Sequence, residues 1–138
     1  MIYGGIIWTE ISVATGSRAQ FVDVTRQVYA ELAKRGVKNG MCYVYVPHTT
    51  AGITINENAD PDVVADILST LERLVPADGS YRHSEGNSDA HMKAAMMGFS
   101  QMIPIIDGKL ALGTWQGIYF CEFDGPRRRK MLVGIAGE

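Results

Sequence analysis

The sequence predicts a single compact α+β domain, mainly antiparallel β-sheet with two to three helices, spanning residues 1–138. Three observations carry that expectation. The length of 138 residues, 46% of them hydrophobic, suits one core and leaves little room for a second. The apolar patterning runs β-β-α-β-β-α-α and then turns wholly to β, without the strand–helix alternation of a doubly wound sheet. Asp-Gly steps between apolar runs, at Asp107-Gly108 and Asp124-Gly125, suggest antiparallel hairpins.

Ile2–Val13 is rich in Ile, Val, Trp and Thr and reads as the first strand. Thr15-Gly16-Ser17 turns it into a second strand over Gln20–Val24, so the two are expected to form a hairpin. Thr25 can cap a helix that runs through Arg35. Val28, Leu32 and Arg35 share one of its faces, and Gly36 suits the left-handed position past its end. Lys38-Asn39-Gly40 turns into a strand over Met41–Pro47. The polar stretch His48–Gly52 precedes a short strand, Ile53–Glu57. Asp60-Pro61 marks a helix start, because aspartate accepts orphaned N–H groups and proline suits the first helical position. Val64, Ile67, Leu68, Leu71 and Val75 then line one side, and Pro76 ends the helix. Residues 77–87 are polar and aperiodic, a long loop of the kind that carries function. Ser88 or Asp89 caps a shorter helix ending at Gly98, with Met92, Met96 and Met97 filling the core. A β meander closes the chain over Met102–Ile106, Leu110–Thr114, Gly117–Phe123 and Arg128–Ala136.

Composition narrows the function classes. Thirteen Lys and Arg against fifteen Asp and Glu leave a net charge of −2, short of the cationic excess that displaces counterions from nucleic acid. No apolar run approaches the roughly 18 residues of a membrane span. The first residues lack the basic and apolar regions of a signal peptide, so a soluble, cytoplasmic protein that binds neither nucleic acid nor membrane is expected. Cys42 and Cys121 lie in separate apolar runs without CxxC spacing and read as buried thiols.

Few residues are left to carry chemistry. The three histidines, His48, His83 and His91, fall after a strand, in the long loop and in a helical first turn. Converging, they would offer a divalent metal three imidazoles and an open fourth position; separately, each would be an ordinary surface or core histidine. Glu57 continues the apolar face of Ile53 and Ile55, which makes it a candidate general base or a strand end reaching water. Arg127 and Arg129 share a strand face with Met131, Val133 and Ile135, a placement suited to gripping an anion, guarding a sheet edge or bridging subunits. Thr49 and Thr50 could cradle a phosphate beside His48. Asn87 lies four residues before His91 at a helix start that favours anions. Trp115 and Gln116 sit between strands, where the ring belongs in the core, at an interface or along a pocket.

These motifs in order resemble the YjbQ-like family, often labelled secondary thiamine-phosphate synthase. The matching residues are His48-Thr49-Thr50-Ala51, Asn56-Glu57, Tyr81-Arg82-His83, Asn87-Ser88-Asp89-Ala90-His91, Gly98-Phe99-Ser100, Ile103-Pro104-Ile105, Leu112-Gly113-Thr114-Trp115-Gln116 and Glu122-Phe123-Asp124-Gly125-Pro126-Arg127. The resemblance implies a homotrimer and a metal held by His48, His83 and His91 near subunit boundaries. That metal would be zinc, or magnesium with a pyrophosphate substrate. It makes Arg127 and Arg129 grips for phosphate or sulfate, Glu57 a nearby acid, and Thr49, Thr50, Asn87, Trp115 and Gln116 substrate contacts. The implied activity joins a pyrimidine pyrophosphate to a thiazole phosphate. Two alternatives stand beside that transferase: a metal-dependent phosphate-ester hydrolase with Glu57 as base, and a non-catalytic module that binds a phosphorylated metabolite.

Overall fold

The computed structural model describes residues 5–138, so the part of the expected first strand at residues 2–4 lies outside the described residues. The elements follow the expected order: β1 (Ile7–Ala14), β2 (Gln20–Asp23), α1 (Thr25–Arg35), β3 (Gly40–Tyr45), β4 (Ala51–Glu57), α2 (Pro61–Leu74), α3 (Ser88–Met97), β5 (Ser100–Ile106), β6 (Lys109–Leu110), β7 (Gln116–Glu122) and β8 (Arg128–Gly137). The fold is α+β with three helices and only antiparallel pairings. No helix among the described residues is long and apolar enough to cross a membrane.

The strands divide into a five-stranded sheet, β1-β8-β3-β5-β6, and a three-stranded sheet, β2-β7-β4. The expected β1–β2 hairpin is therefore wrong. β1 pairs with β8 along its whole length, while β2 pairs with β7 in the other sheet. The closing meander is wrong for the same reason. Asp107 and Gly108, both at positive φ, do turn β5 into β6, but β7 joins the smaller sheet and β8 returns to the larger one. The strand expected at Leu110–Thr114 is only the two residues of β6.

Parity along β7 explains the layers. Ile118 and Phe120 face the larger sheet in a core with Val44, Ile53, Ile103, Met131 and Val133, which α1 completes with Val28 and Leu32. Tyr119, Cys121 and Phe123 face the other way, under α2 and α3. β7 is buried on both sides and so reads as a continuous apolar run. Both cysteines are free and buried, and burial pushes the Cys42 thiol up to about 11 and raises that of Cys121 as well.

The helix ends follow the sequence in part. Asp60 accepts from the Asp62 N–H with Pro61 behind it, and Gly36 is left-handed at φ 64°. Thr25 does not cap α1; Asp23 Oδ1 accepts from both its N–H and its hydroxyl, and the Thr25 oxygen accepts from the Ile118 N–H. Neither Ser88 nor Asp89 caps α3, whose N-cap position is Asn87. Met92 and Met96 are not core filler: they lie on the exposed side of α3, and only Met97 packs inward.

α3 approaches β4 closely at Gly52, where a Cβ would lie 2.6 Å from the Gly98 carbonyl oxygen and 3.2 Å from that of Ala94. Backbone cannot yield as a side chain can. Gly52→Ala is therefore expected to cost about 1–3 kcal/mol, read as a lowered thermal midpoint.

Candidate active site

Four chain segments end at the same edge of the two sheets. The β3–β4 loop brings His48, Thr49 and Thr50, and the α2–α3 loop brings His83, Glu85 and Asn87. The first turn of α3 adds His91, and the β7–β8 connection with the start of β8 adds Asp124, Arg127 and Arg129. These side chains line one polar cavity of about 480 Å³. The three histidines and both arginines singled out in the sequence thus meet in one place, together with Thr49, Thr50 and Asn87. Glu57, Trp115 and Gln116 do not. Glu57 and Gln116 are paired at the far end of β4 and β7, six residues from Ala51 and so about 20 Å away at ~3.3 Å per residue. Trp115 beside them is 63% exposed, outside the core of this chain.

The cavity floor is a buried ion pair. Arg129 is 4% exposed and Glu122 is fully buried. Arg129 Nε donates to Glu122 Oε1 at 2.8 Å, and its Nη2 donates to Glu122 Oε2 and to the Thr50 hydroxyl oxygen. Thr15 and the Phe123 and Asp124 N–H groups also donate to the carboxylate. Burial alone would raise the Glu122 pKa; the hydrogen bonds led by Arg129 outweigh it and hold the carboxyl below its usual range. Arg129 Nη1 has no partner among the described residues.

Arg127 is half exposed and also carries its own acid: Nε donates to the Asp124 carbonyl and Nη2 to Asp124 Oδ2 at 3.1 Å. Asn87 Nδ2 donates to the same oxygen at 2.9 Å. Both arginines thus reach the cavity paired with a carboxylate. The acids that complete these pairs, Glu122 and Asp124, are the residues that sequence reasoning left out. Their signal was only an alternation of acids and bases either side of Gly125-Pro126.

The histidines are placed unequally. His83 and His91 stand edge to face with ring centroids 5.2 Å apart, and His83 Nε2 lies 3.8 Å from Glu85. His48 packs edge-on against Phe120, and its Nε2 accepts the Lys130 N–H at 3.0 Å. Burial first, then the charge of Arg129, lowers its pKa, so the ring is neutral at pH 7. Among the described residues no three His, Cys, Asp or Glu side chains are grouped closely enough to hold a metal ion. His83 and His91 are imidazoles of the kind a zinc ion takes, and by themselves they supply two of the three protein ligands of an open zinc site.

A second ion-paired cluster fixes α3. Asp89 is fully buried, accepts a two-pronged bond from Arg18 at 2.9 and 3.1 Å, and accepts from Lys93 at 3.0 Å. Lys93, itself 2% exposed, also reaches Glu72 on α2 at 2.8 Å. These contacts hold the turn of α3 that carries Asn87 and His91.

A family model described as UPF0047 protein YjbQ-like matches residues 9–138. A UPF0047 protein of Methanocaldococcus jannaschii is 53% identical over 126 residues, 91% of each chain. The UPF0047 protein YugU of Bacillus subtilis is 49% identical, covering 92% of this chain and 97% of its own. Among solved structures, a YjbQ/UPF0047 protein of Clostridium acetobutylicum superposes with a TM-score of 0.91 at 58% identity, covering 92% of this chain and 98% of that one. A YbjQ-like protein of Sulfolobus solfataricus gives 0.92 at 37% identity, covering 96% and 98%.

Proposed function

The chain belongs to the YjbQ-like UPF0047 family, and on that premise we propose that it is an enzyme acting on a phosphorylated small molecule at the histidine–arginine cavity. The observation that carries the reading is the meeting of His48, His83, His91, Arg127 and Arg129 around one polar space. Each arginine keeps an Nη1 group free of the carboxylates and can donate it to a phosphate oxygen. Because Glu122 and Asp124 cancel the two guanidinium charges, a further positive charge strengthens the hold on a dianion. His83 and His91 would be the residues to hold a divalent cation, zinc in the first instance, which when bound would supply that charge beside the phosphoryl oxygen.

The finer reading is transfer, with a pyrimidine pyrophosphate and a thiazole phosphate joined and pyrophosphate released. That reaction needs no protein nucleophile: the thiazole nitrogen takes the pyrimidine's carbon as its bond to the pyrophosphate oxygen breaks, the arginines stabilise charge growing on the departing pyrophosphate, and Thr49 and Asn87 orient it. Hydrolysis is less well served. Its expected base, Glu57, stands at the opposite end of β4, and Asp124 is engaged by Asn87 and Arg127.

A homotrimer is part of the proposal. The outward face of the five-stranded sheet carries Trp8, Tyr45 and Met102, all more than two-fifths exposed, beside Tyr43 and Leu132. Nothing in the described chain covers this apolar face, and two further copies would bury it. Light scattering should give a mass of three chains, and Met102→Glu should lower it.

The deciding experiment measures zinc content and product formation from the two phosphorylated substrates. Wild type is expected to hold about one zinc per chain and to turn over. Folded His83→Ala and His91→Ala variants should lose both. Full metal content and full activity in those variants would reject the reading. Phosphate binding without turnover would favour the binding module.

A further inference from the structure

The bond between His48 and the backbone of β8 decides what that ring can do. β3 pairs with β8 only as far as Tyr45 opposite Leu132, after which the chain leaves the sheet through Val46 and Pro47. The N–H of Lys130, next along β8 on that side, would then have no strand carbonyl to meet. His48 Nε2 takes it at 3.0 Å. A backbone amide can only donate, so Nε2 must present its lone pair. A neutral imidazole has one such lone pair, and the other nitrogen, Nδ1, therefore carries the hydrogen. A nitrogen bearing hydrogen cannot bind a metal ion.

From this we infer that His48 is not a third metal ligand but a hydrogen-bond donor, offering Nδ1–H to an anionic oxygen of the bound molecule. The inference rests on the phosphate reading of the cavity and assigns its parts: His83 and His91 to the cation, His48 with Arg129 to the anion. The surroundings agree. His83 and His91 stand ring against ring, while no three-donor group, with His48 or without it, forms among the described residues. The ring also lines a second hollow of about 310 Å³ with Arg129, Arg128, Lys130, Ser12 and Glu10. It thus forms the wall between two spaces that both contain Arg129, where a donor of hydrogen bonds serves an anion and a metal ligand would face cations.

Three measurements on the full-length protein test this. A long-range proton–nitrogen NMR spectrum should show His48 as the Nδ1–H tautomer, unchanged on adding zinc. Zinc affinity, measured against a competing chelator, should fall at least a hundred-fold in His91→Ala and stay within about two-fold of wild type in His48→Asn. Inorganic phosphate binding, measured by calorimetry with EDTA present, should weaken roughly ten-fold in His48→Ala. It should recover in His48→Asn, whose amide nitrogen falls near the place of Nδ1. An Nε2–H tautomer, a zinc-shifted Nδ1 signal, or loss of zinc affinity in His48→Asn equal to that in His91→Ala would each overturn the assignment. If wild type binds no phosphate, the phosphate reading fails and the donor role falls with it. The tautomer and zinc arms still decide whether His48 is a ligand.

Discussion

Replacing Arg129 with methionine is expected to destabilise the fold by about 3–5 kcal/mol, because it strands a charged carboxylate in the interior. Glu122 is fully buried and Arg129 supplies two of its donors. Methionine fills much of the same volume, so the loss reports charge more than packing. The pH dependence has a definite sign. In the wild type the Glu122 pKa is lowered in the folded state, so its contribution is present at neutral pH and lost as the pH falls through that value. Without Arg129, burial dominates and the carboxyl pKa rises, so acid discharges the stranded group. The gap between variant and wild type should accordingly narrow from pH 7 to pH 5 in urea titrations. The double variant Arg129→Met/Glu122→Gln should regain part of the loss, since both charges are gone. A loss under 1 kcal/mol for Arg129→Met, or a gap that widens with acid, would contradict this account.

Asp89→Asn should cost a similar amount, again about 3–5 kcal/mol, since Lys93 is left buried with Glu72 as its only acid. Burial works against the Asp89 carboxylate, yet bonds from Arg18 and Lys93 hold its pKa at about 2. Its stabilisation is therefore complete above the ordinary aspartate value of 3.8 and lost as the pH falls from there toward about 2. Acid unfolding of the wild type should steepen in that window, and the asparagine variant should lack this limb. The same substitution loosens the first turn of α3, so zinc affinity should drop with stability although Asp89 touches no ligand. Undiminished zinc affinity in a destabilised Asp89→Asn protein would separate the two clusters.

Local sequence signals fix local structure where the physics is local. Asp60-Pro61 starts α2 and Gly36 ends α1 because a cap and a positive φ depend on neighbouring residues alone. Parity along β8 put Arg129 on the face of Met131 and Val133, and it is buried there. The hairpins failed because Thr15-Gly16-Ser17 and Asp124-Gly125-Pro126 reverse the chain without saying which sheet receives it. Glu57 illustrates a second limit. Its alternation with Ile53 and Ile55 identifies the face it belongs to, but not which end of the strand lies at the cavity.

The sequence by itself determined the order of elements, the family and the few residues able to carry chemistry, since periodicity, caps and motif order are written along the chain. Only the tertiary structure decided which of those residues meet. It drew three histidines and two arginines to one edge of two sheets and left Glu57, Trp115 and Gln116 at the other. It also supplied the carboxylates of Glu122 and Asp124 that neutralise the arginines, and the Lys130 amide that occupies the lone pair of His48. Such pairings join residues up to 82 positions apart, and they exist only once the strands have chosen their sheets.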